Sequence, residues 1–427
     1  RSCSVCTNGT MYYPASHILR TLEEKYNIKV LLTYNSLIVH FALYGCMVYF
    51  VYMDNPLKKI FQGGLSSFFK SETTGSVIGI DVGASSIKVV QMKKKGGKAI
   101  LETYGALALG PYAQYDVGQA TNLSSDVLGT ALTDVLRETN VTTKVGALSI
   151  PSAASLIFTV DLPVSVSDAE LASIIPTEAR KFIPVPISEV TLDWFQVPKQ
   201  EMVYEDPSSE GTSGETKREV LVAAIHNDTI AKYRDIIKRA EVEARFFEIE
   251  VFSAIRATLG REVAPVLIMD MGALKTKIIV VEYGVVRSFH IINRGAQDIT
   301  LSLSKSLNIP FAQAEEIKRQ YGIAGGAPDE NVHEVIRLGL DYVFSEANNT
   351  VLAYERKSNR SISKVILIGG GALMRGLEAY AAENFRSTVE LGHPFSKTEA
   401  PAFLDQILQA TGPEFAVAVG LALRSLQ

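Results

Sequence analysis

Cysteine is nearly missing from this 427-residue chain: Cys3, Cys6 and Cys46 are the whole supply. A disulfide framework is thereby excluded for everything beyond position 46, and a reducing compartment fits. Cys3-x-x-Cys6 has no second pair and no set of histidines beside it, so it reads as chance spacing rather than a zinc site. Positive charge is not in excess: 42 Lys and Arg stand against 46 Asp and Glu, a formal net charge of −4. A general nucleic-acid binder would usually be basic. Two glycine signatures are also absent, G-x-x-x-x-G-K-[ST] and G-x-G-x-x-G. P-loop and Rossmann-type phosphate binding are therefore excluded.

What is present is globular, with 47% hydrophobic and 21% charged residues and enough length for two or more domains. Residues 1–52 stand apart. Val30 to Tyr52 is mostly apolar and near bilayer-crossing length, ~20 residues, although Asn35, Ser36 and His40 interrupt it. The chain opens on Arg, which favours reading 1–52 as a hydrophobic leader or an upstream region translated ahead of a start at Met53. Residues 53–75 read as a flexible or amphipathic leader. There Leu57, Ile60, Phe61, Leu65, Phe68 and Phe69 fall near helical spacing beside Lys58, Lys59 and Lys70, a pattern that can lie on a membrane surface.

A repeat organises the rest. VIGIDVGASSIKVVQM, from Val77, aligns with VLIMDMGALKTKIIVV, from Val266, so that Asp81 meets Asp270, Gly83 meets Gly272, Ala84 meets Ala273 and Lys88 meets Lys277. Each copy is strand, Asp-x-Gly, short polar turn, strand, which predicts two similar halves that each begin with a β-hairpin. Facing turns would make a clamp. Gly83 and Gly272 are expected to supply positive φ and close backbone approach. Peptide N–H groups at Gly83, Ala84, Ser85 and Ser86 can form an anion nest, with hydroxyls from Ser85, Ser86 and Thr276 added. Asp81 and Asp270 would repel a bare phosphate. They make sense as holders of hydrated Mg²⁺, which takes few carboxylates and keeps waters. A third unit, VILIGGGALMRGL from Val365, predicts a strand, a Gly369-Gly370-Gly371 turn and a helix from Leu373, a recurrent approach to nucleotide.

In this order the three elements resemble the nucleotide-binding motifs of the actin, Hsp70 and sugar-kinase superfamily. AQAEEIKRQY, Ala312 to Tyr321, is similar to the A-E-x-x-K helix of bacterial actins. That resemblance places Glu315 and Lys318 at the ribose and adenine. On residue chemistry alone the helix would pass as a solvated amphipathic face with an i,i+3 pair. EARKFIPVPISEVTLDWFQV, from Glu178, and ARFFEIEVFSAIRA, from Ala244, resemble the PilM family of type IV pilus assembly proteins. The resemblance runs from about Met53 to Gln427.

It implies an α/β, actin-like (ribonuclease H-like) duplicated two-lobe fold with a small α+β inserted subdomain. The boundaries expected are 76–151 with 226–264 for the first lobe and 152–225 for the insert. The second lobe takes 265–385, and 386–427 returns to the first lobe. Helices are expected near Ser124–Thr139, from Asp168, at Asp228–Ala240 and over 297–307, 311–321 and 331–357. A polar Gly/Ser-rich hairpin loop lies between the insert's last two strands. Pro176 is expected to bend the helix that carries Glu178.

The function implied is ATP·Mg²⁺ binding between the lobes, coupled to a PilN-like partner's short cytoplasmic segment, at the inner membrane's cytoplasmic face. A homo-oligomer is compatible with the family. Turnover is left open: Glu178 is the one candidate for orienting water, and Leu274 and Lys275 stand where the superfamily has small residues, which would crowd the γ-phosphate. Two alternatives stay open, a sugar-kinase-like phosphotransferase, for which Glu178 and Asp193 are the insert's nominees, and an FtsA-like filament-forming division protein.

Overall fold

The repeat folds as two sheets of the same design. The computed structural model describes residues 75–197 and 217–427, together with the backbone of three earlier strands. In the first lobe, β1 (Val77–Val82), β2 (Ser86–Lys95) and β3 (Lys98–Ala108) form an antiparallel meander, and β4 (Val145–Ile150) pairs parallel to β1. The three-stranded sheet of the insert comprises β5 (Ser155–Pro163), β6 (Val190–Gln196) and β7 (Lys217–His226), with β7 central. The first sheet closes with β8 (Glu243–Ile249), parallel to β4. In the second lobe the meander is β9 (Val266–Met271), β10 (Thr276–Glu282) and β11 (Val285–Ile292), followed by β12 (Lys364–Ile368) and β13 (Thr388–Leu391), both parallel. Read within each lobe, the strand order is 3-2-1-4-5 both times. Strand β11 goes beyond the sequence reading; its signal is the tight turn at Tyr283-Gly284, both at positive φ, ahead of VVRSFHII.

Helices fill the connections. They are α1 (Ser125–Glu138), α2 (Asp168–Ala179), α3 (Asn227–Arg239), α4 (Glu250–Thr258), α5 (Ala296–Leu307), α6 (Phe311–Tyr321) and α7 (Asn331–Ser358). The last three are α8 (Leu377–Asn384), α9 (Asp405–Thr411) and α10 (Ala416–Ser425). Helix α1 is capped by Ser124, whose Oγ accepts from Val127 N–H. Helix α2 begins at the expected Asp168, runs through Pro176 and ends at Ala179. It covers the insert sheet, with Leu171 and Ile175 packed on Val160, Val220 and Val222.

Each lobe has its own core on one sheet face, and a third core joins them. Leu132 and Ile236, from α1 and α3, pack on Ile80 and Leu148 in the first lobe. Leu303, Ile336 and Phe344 pack on Leu267 and Leu367 in the second. Between the sheets lie α4 and α10: Val251, Ile255, Val417 and Leu421 meet Ile268, Ile279 and Ile366. Helix α10 comes this close because Gly79 and Gly420 lack side chains. A Cβ on Gly79 would sit 2.0 Å from Ala418 O, and one on Gly420 1.9 Å from Ser253 O. The apolar C-terminal stretch thus packs on β1 and holds the two halves at a common interface.

Ahead of residue 75, strands Val30–Thr33, Ser36–Leu43 and Cys46–Phe50 run antiparallel and extend the first sheet beyond β3, through Val48–Leu107 and Tyr49–Ala106. The apolar leader stretch is therefore extended where its backbone is described. The Cys3/Cys6 spacing, the 53–70 amphipathic pattern and the insert's polar loop over 198–216 lie outside the described residues. Among the described residues no helix is long and apolar enough to cross a membrane.

Candidate functional site

The carboxyl ends of β1, β4, β9 and β12 converge on a cleft of about 770 Å³ between the lobes. In parallel sheets this is where connections leave backbone free to meet ligand. Asp81, Gly83, Ala84, Ser85, Ser86 and Lys88 line it from the first lobe. Asp270, Gly272, Glu315, Lys318, Gly369, Gly370 and Gly371 line it from the second. Of the residues nominated from the sequence, Thr276, Glu178 and Asp193, the last on β6 of the insert, do not line it. Thr276 is fully buried and spends its hydroxyl on Arg294 O at 2.9 Å. Glu178 lies on α2 of the insert, where Lys181 Nζ donates to it at 2.6 Å; the insert's helix packs on its own sheet, away from the cleft.

The two turns match in detail. Gly83 N–H donates to Ser86 O at 3.0 Å, and Gly272 N–H donates to Lys275 O at 3.0 Å. A Cβ would stand 3.0 Å from the first acceptor and 2.9 Å from the second. Neither glycine has positive φ, so the expectation that they supply left-handed backbone is corrected: what the turn needs is the missing Cβ, which clears the closing carbonyl. In each turn two successive carbonyls are also engaged by the neighbouring chain, one position earlier in the second copy than in the first. Ala84 O accepts from Thr121 N–H at 2.8 Å and Ser85 O from Leu109 N–H at 2.8 Å; Gly272 O accepts from Ala296 N–H at 2.9 Å and Ala273 O from Gln297 N–H at 3.0 Å. In a trans peptide the N–H points opposite the C=O. The amides of Ser85 and Ser86, and of Ala273 and Leu274, therefore point opposite to those engaged carbonyls.

The carboxylates have diverged. Asp81 is buried and accepts a hydrogen bond from Ser149 Oγ at 2.9 Å. Burial raises its pKa and the nearby Glu250 adds to this, while Lys88, Lys277 and Ser149 act the other way. Lys88 lies opposite Asp81 in register, yet its ammonium donates to Ser86 Oγ at 2.9 Å. In the second copy Lys277 Nζ contacts Asp270 Oδ2 at 2.8 Å and Glu250 Oε2 at 2.8 Å. Burial alone would lower the Lys277 pKa; the two carboxylates more than reverse that and hold it charged. Glu250, the first residue of α4, also accepts from Ser152 N–H at 2.8 Å. It is a cleft residue missed in the sequence, because a single Glu at the head of an apolar helix reads only as a favourable N-terminal charge.

At the far end of the cleft, Glu315 and Lys318 are both buried. Lys318 Nζ lies 2.6 Å from Glu315 Oε2 and donates to Thr300 Oγ1 at 2.8 Å, and Arg319 Nε donates to Glu315 Oε1 at 2.8 Å. Burial pushes the Glu315 pKa up, but Lys318 and Arg319 outweigh it and hold it low; burial lowers that of Lys318. The solvated face expected from residue chemistry alone is thus a buried ion pair. Gly369 and Gly371 press against β9, and Gly370 has open space before it. A 3₁₀ turn covers Gly370–Leu373, so two of the three glycines lie in a turn, and helix α8 begins at Leu377 rather than at the expected Leu373. Leu274 is exposed and, with Lys275, lines the cleft mouth.

Two sheets that share one five-strand topology, clasping helices between them and opening a cleft at their strand ends, define an actin-like two-lobe protein. The family profile described as type IV pilus assembly protein PilM matches residues 79–426, and the chain belongs to that family. Among curated proteins it is similar to cell division protein FtsA of Helicobacter pylori (strain ATCC 700392 / 26695), at 29% identity over 259 residues, 54% of this chain and 51% of that one. FtsA of Neisseria meningitidis serogroup B (strain ATCC BAA-335 / MC58) is 25% identical over 312 residues, 66% of this chain and 72% of that one. The chain spans about half the length of the first of these relatives. Among solved structures, a chain of a PilM-PilN type IV pilus biogenesis complex superposes with a TM-score of 0.68 at 23% identity, covering 83% of this chain and 99% of that one. Ethanolamine utilization protein EutJ from Carboxydothermus hydrogenoformans gives a TM-score of 0.45 at 14% identity, over 82% and 89% of the two chains.

Proposed function

We propose that this protein binds ATP with Mg²⁺ between its lobes and in that state engages a PilN-like inner-membrane pilus protein, peripherally on the cytoplasmic face. The observation that carries the reading is the pair of Asp-x-Gly turns, closed by the same hydrogen bond and lining one cleft from both lobes. Mg²⁺ fits at Asp81. That carboxylate is buried, bonded to Ser149, and short of positive charge, while Asp270 already shares Lys277 with Glu250. Bound there, Mg²⁺ would neutralise phosphate charge and keep several waters. Lys88 would meet phosphate from the same strand, and the Glu315–Lys318 pair would face the nucleoside end. Glu250 has both oxygens engaged, which favours holding ATP over hydrolysing it.

The insert is the proposed docking element. Its edge strand β6 carries Phe195, 56% exposed, and an extended peptide can add to such an edge. A fluorescent ATP analogue should bind the full chain only with Mg²⁺, and Asp81→Ala should lose that requirement together with most affinity. The partner's cytoplasmic peptide should then bind more tightly with ATP than with ADP. Equal affinity for apo, ADP and ATP forms would end the coupling.

A further inference from the structure

The segment from Leu109 to Thr121 leaves the first sheet, crosses to the second lobe, and returns to α1. Both its ends are tied to the first turn, Leu109 N–H to Ser85 O and Thr121 N–H to Ala84 O, each at 2.8 Å. Its folding is tight: Tyr115 N–H donates to Gly110 O at 2.9 Å, and a Cβ on Gly110 would lie 2.1 Å from Asp116 O. Near its far end it meets the other lobe. Ala120 N–H donates to Gln297 Oε1 at 2.8 Å, a contact between residues 177 positions apart. Beside it Gly118, at φ +94°, passes Glu315 so closely that a Cβ would lie 3.1 Å from Glu315 Cδ. Gln297 in turn uses its own N–H on Ala273 O of the second turn, at 3.0 Å. One residue therefore joins the two phosphate-facing turns: Ala84 O to Thr121, Ala120 to the Gln297 side chain, Gln297 N–H to Ala273 O.

We infer that Gln297 is a positioning residue that latches the 109–121 strap across the cleft, so that ligand entry and release require its bond to Ala120 to open. The strap lines the cleft through Leu109, Val117, Gly118 and Thr121, between the turns and the Glu315–Lys318 end. A ligand that spans both ends passes beneath it. The latch also ties the second lobe to the seating of the turns, since Gln297 holds Ala120 through its side chain and Ala273 O through its N–H. The inference rests on the ATP reading for its ligand, whereas the latch itself is a property of the free protein.

The test uses the full chain and Gln297→Met, which keeps length and removes the acceptor, with Gln297→Glu, which keeps an acceptor oxygen. In the nucleotide-free protein, hydrogen exchange at Ala120 should quicken about fivefold in Gln297→Met, the size of one neutral hydrogen bond, and stay slow in Gln297→Glu. Amides of β9 should not change in either, which separates the latch from general loosening. Release of a fluorescent ATP analogue with Mg²⁺ should quicken by a similar factor in Gln297→Met. Unchanged exchange at Ala120 would overturn the latch. Faster exchange with unchanged release would overturn the gating role. An analogue that binds neither protein would sink the ATP reading and the gate with it, while exchange would still decide whether the latch exists.

Discussion

Lys277 of the second lobe places its ammonium 2.8 Å from Glu250 Oε2 of the first, across the floor of the cleft. The same nitrogen is 2.8 Å from Asp270 Oδ2. Three charges in this setting have small exposure, 14%, 12% and 10% for the side chains of Lys277, Glu250 and Asp270. A buried group of this kind is costly to break singly, about 3–5 kcal/mol, because the survivors keep their charge without a partner. Lys277→Met should lower stability on that scale in urea unfolding. The triple variant Lys277→Met, Glu250→Gln, Asp270→Asn should recover much of the loss. A single variant within about 0.5 kcal/mol of wild type would show that the bridge does not hold the lobes.

Asp81 has the opposite problem, a buried carboxylate with too little positive charge. Burial raises its pKa, with Glu250 adding to the effect. The native state therefore binds a proton more tightly than the unfolded chain, whose aspartates titrate near 3.9. Stability is fullest below that value and is lost as pH rises through the raised one. Asp81→Asn removes the penalty. Without Mg²⁺ it should be the more stable protein at pH 7, by on the order of 1 kcal/mol, and the gap should close toward pH 3.5. Adding Mg²⁺ should raise the Tm of wild type and leave the variant unmoved. Wild type more stable at pH 7 without Mg²⁺ would contradict the direction.

Much of this was legible in the chain because the turns are local. Asp81 and Gly83, or Asp270 and Gly272, lie two positions apart, and flanking β-branched runs identify the strands. Helices α6 and α7 were legible from periodicity to within a residue. The conformational role of the turn glycines was not, since closing a turn against its own carbonyl and adopting positive φ both call for glycine. Thr276 resembles a donor in sequence, but strand alternation turns it into the core. Glu250 and Gln297 carry no motif: one gains its role from Lys277, and the other from a loop residue 177 positions away.

The adjacent glycines of the third motif provide a test that separates folding from binding. Gly369 holds φ 85° and ψ 166°, a region L-residues avoid at about 1–3 kcal/mol. A Cβ there would also lie 2.5 Å from Asp270 Oδ1 and 2.6 Å from Met271 O. Gly370 has nothing within 4 Å of its would-be Cβ and lines the cleft. Gly369→Ala should therefore cost about 2–4 kcal/mol of stability, read as a fall in urea midpoint. Gly370→Ala should fold with the stability of wild type, within about 0.5 kcal/mol. Its methyl would enter the cleft, so a fluorescent ATP analogue should bind about tenfold more weakly, ~1.4 kcal/mol. Should Gly370→Ala bind the analogue as wild type does, nucleotide does not lie against this turn, and the assignment of the third motif to the cleft's ligand fails.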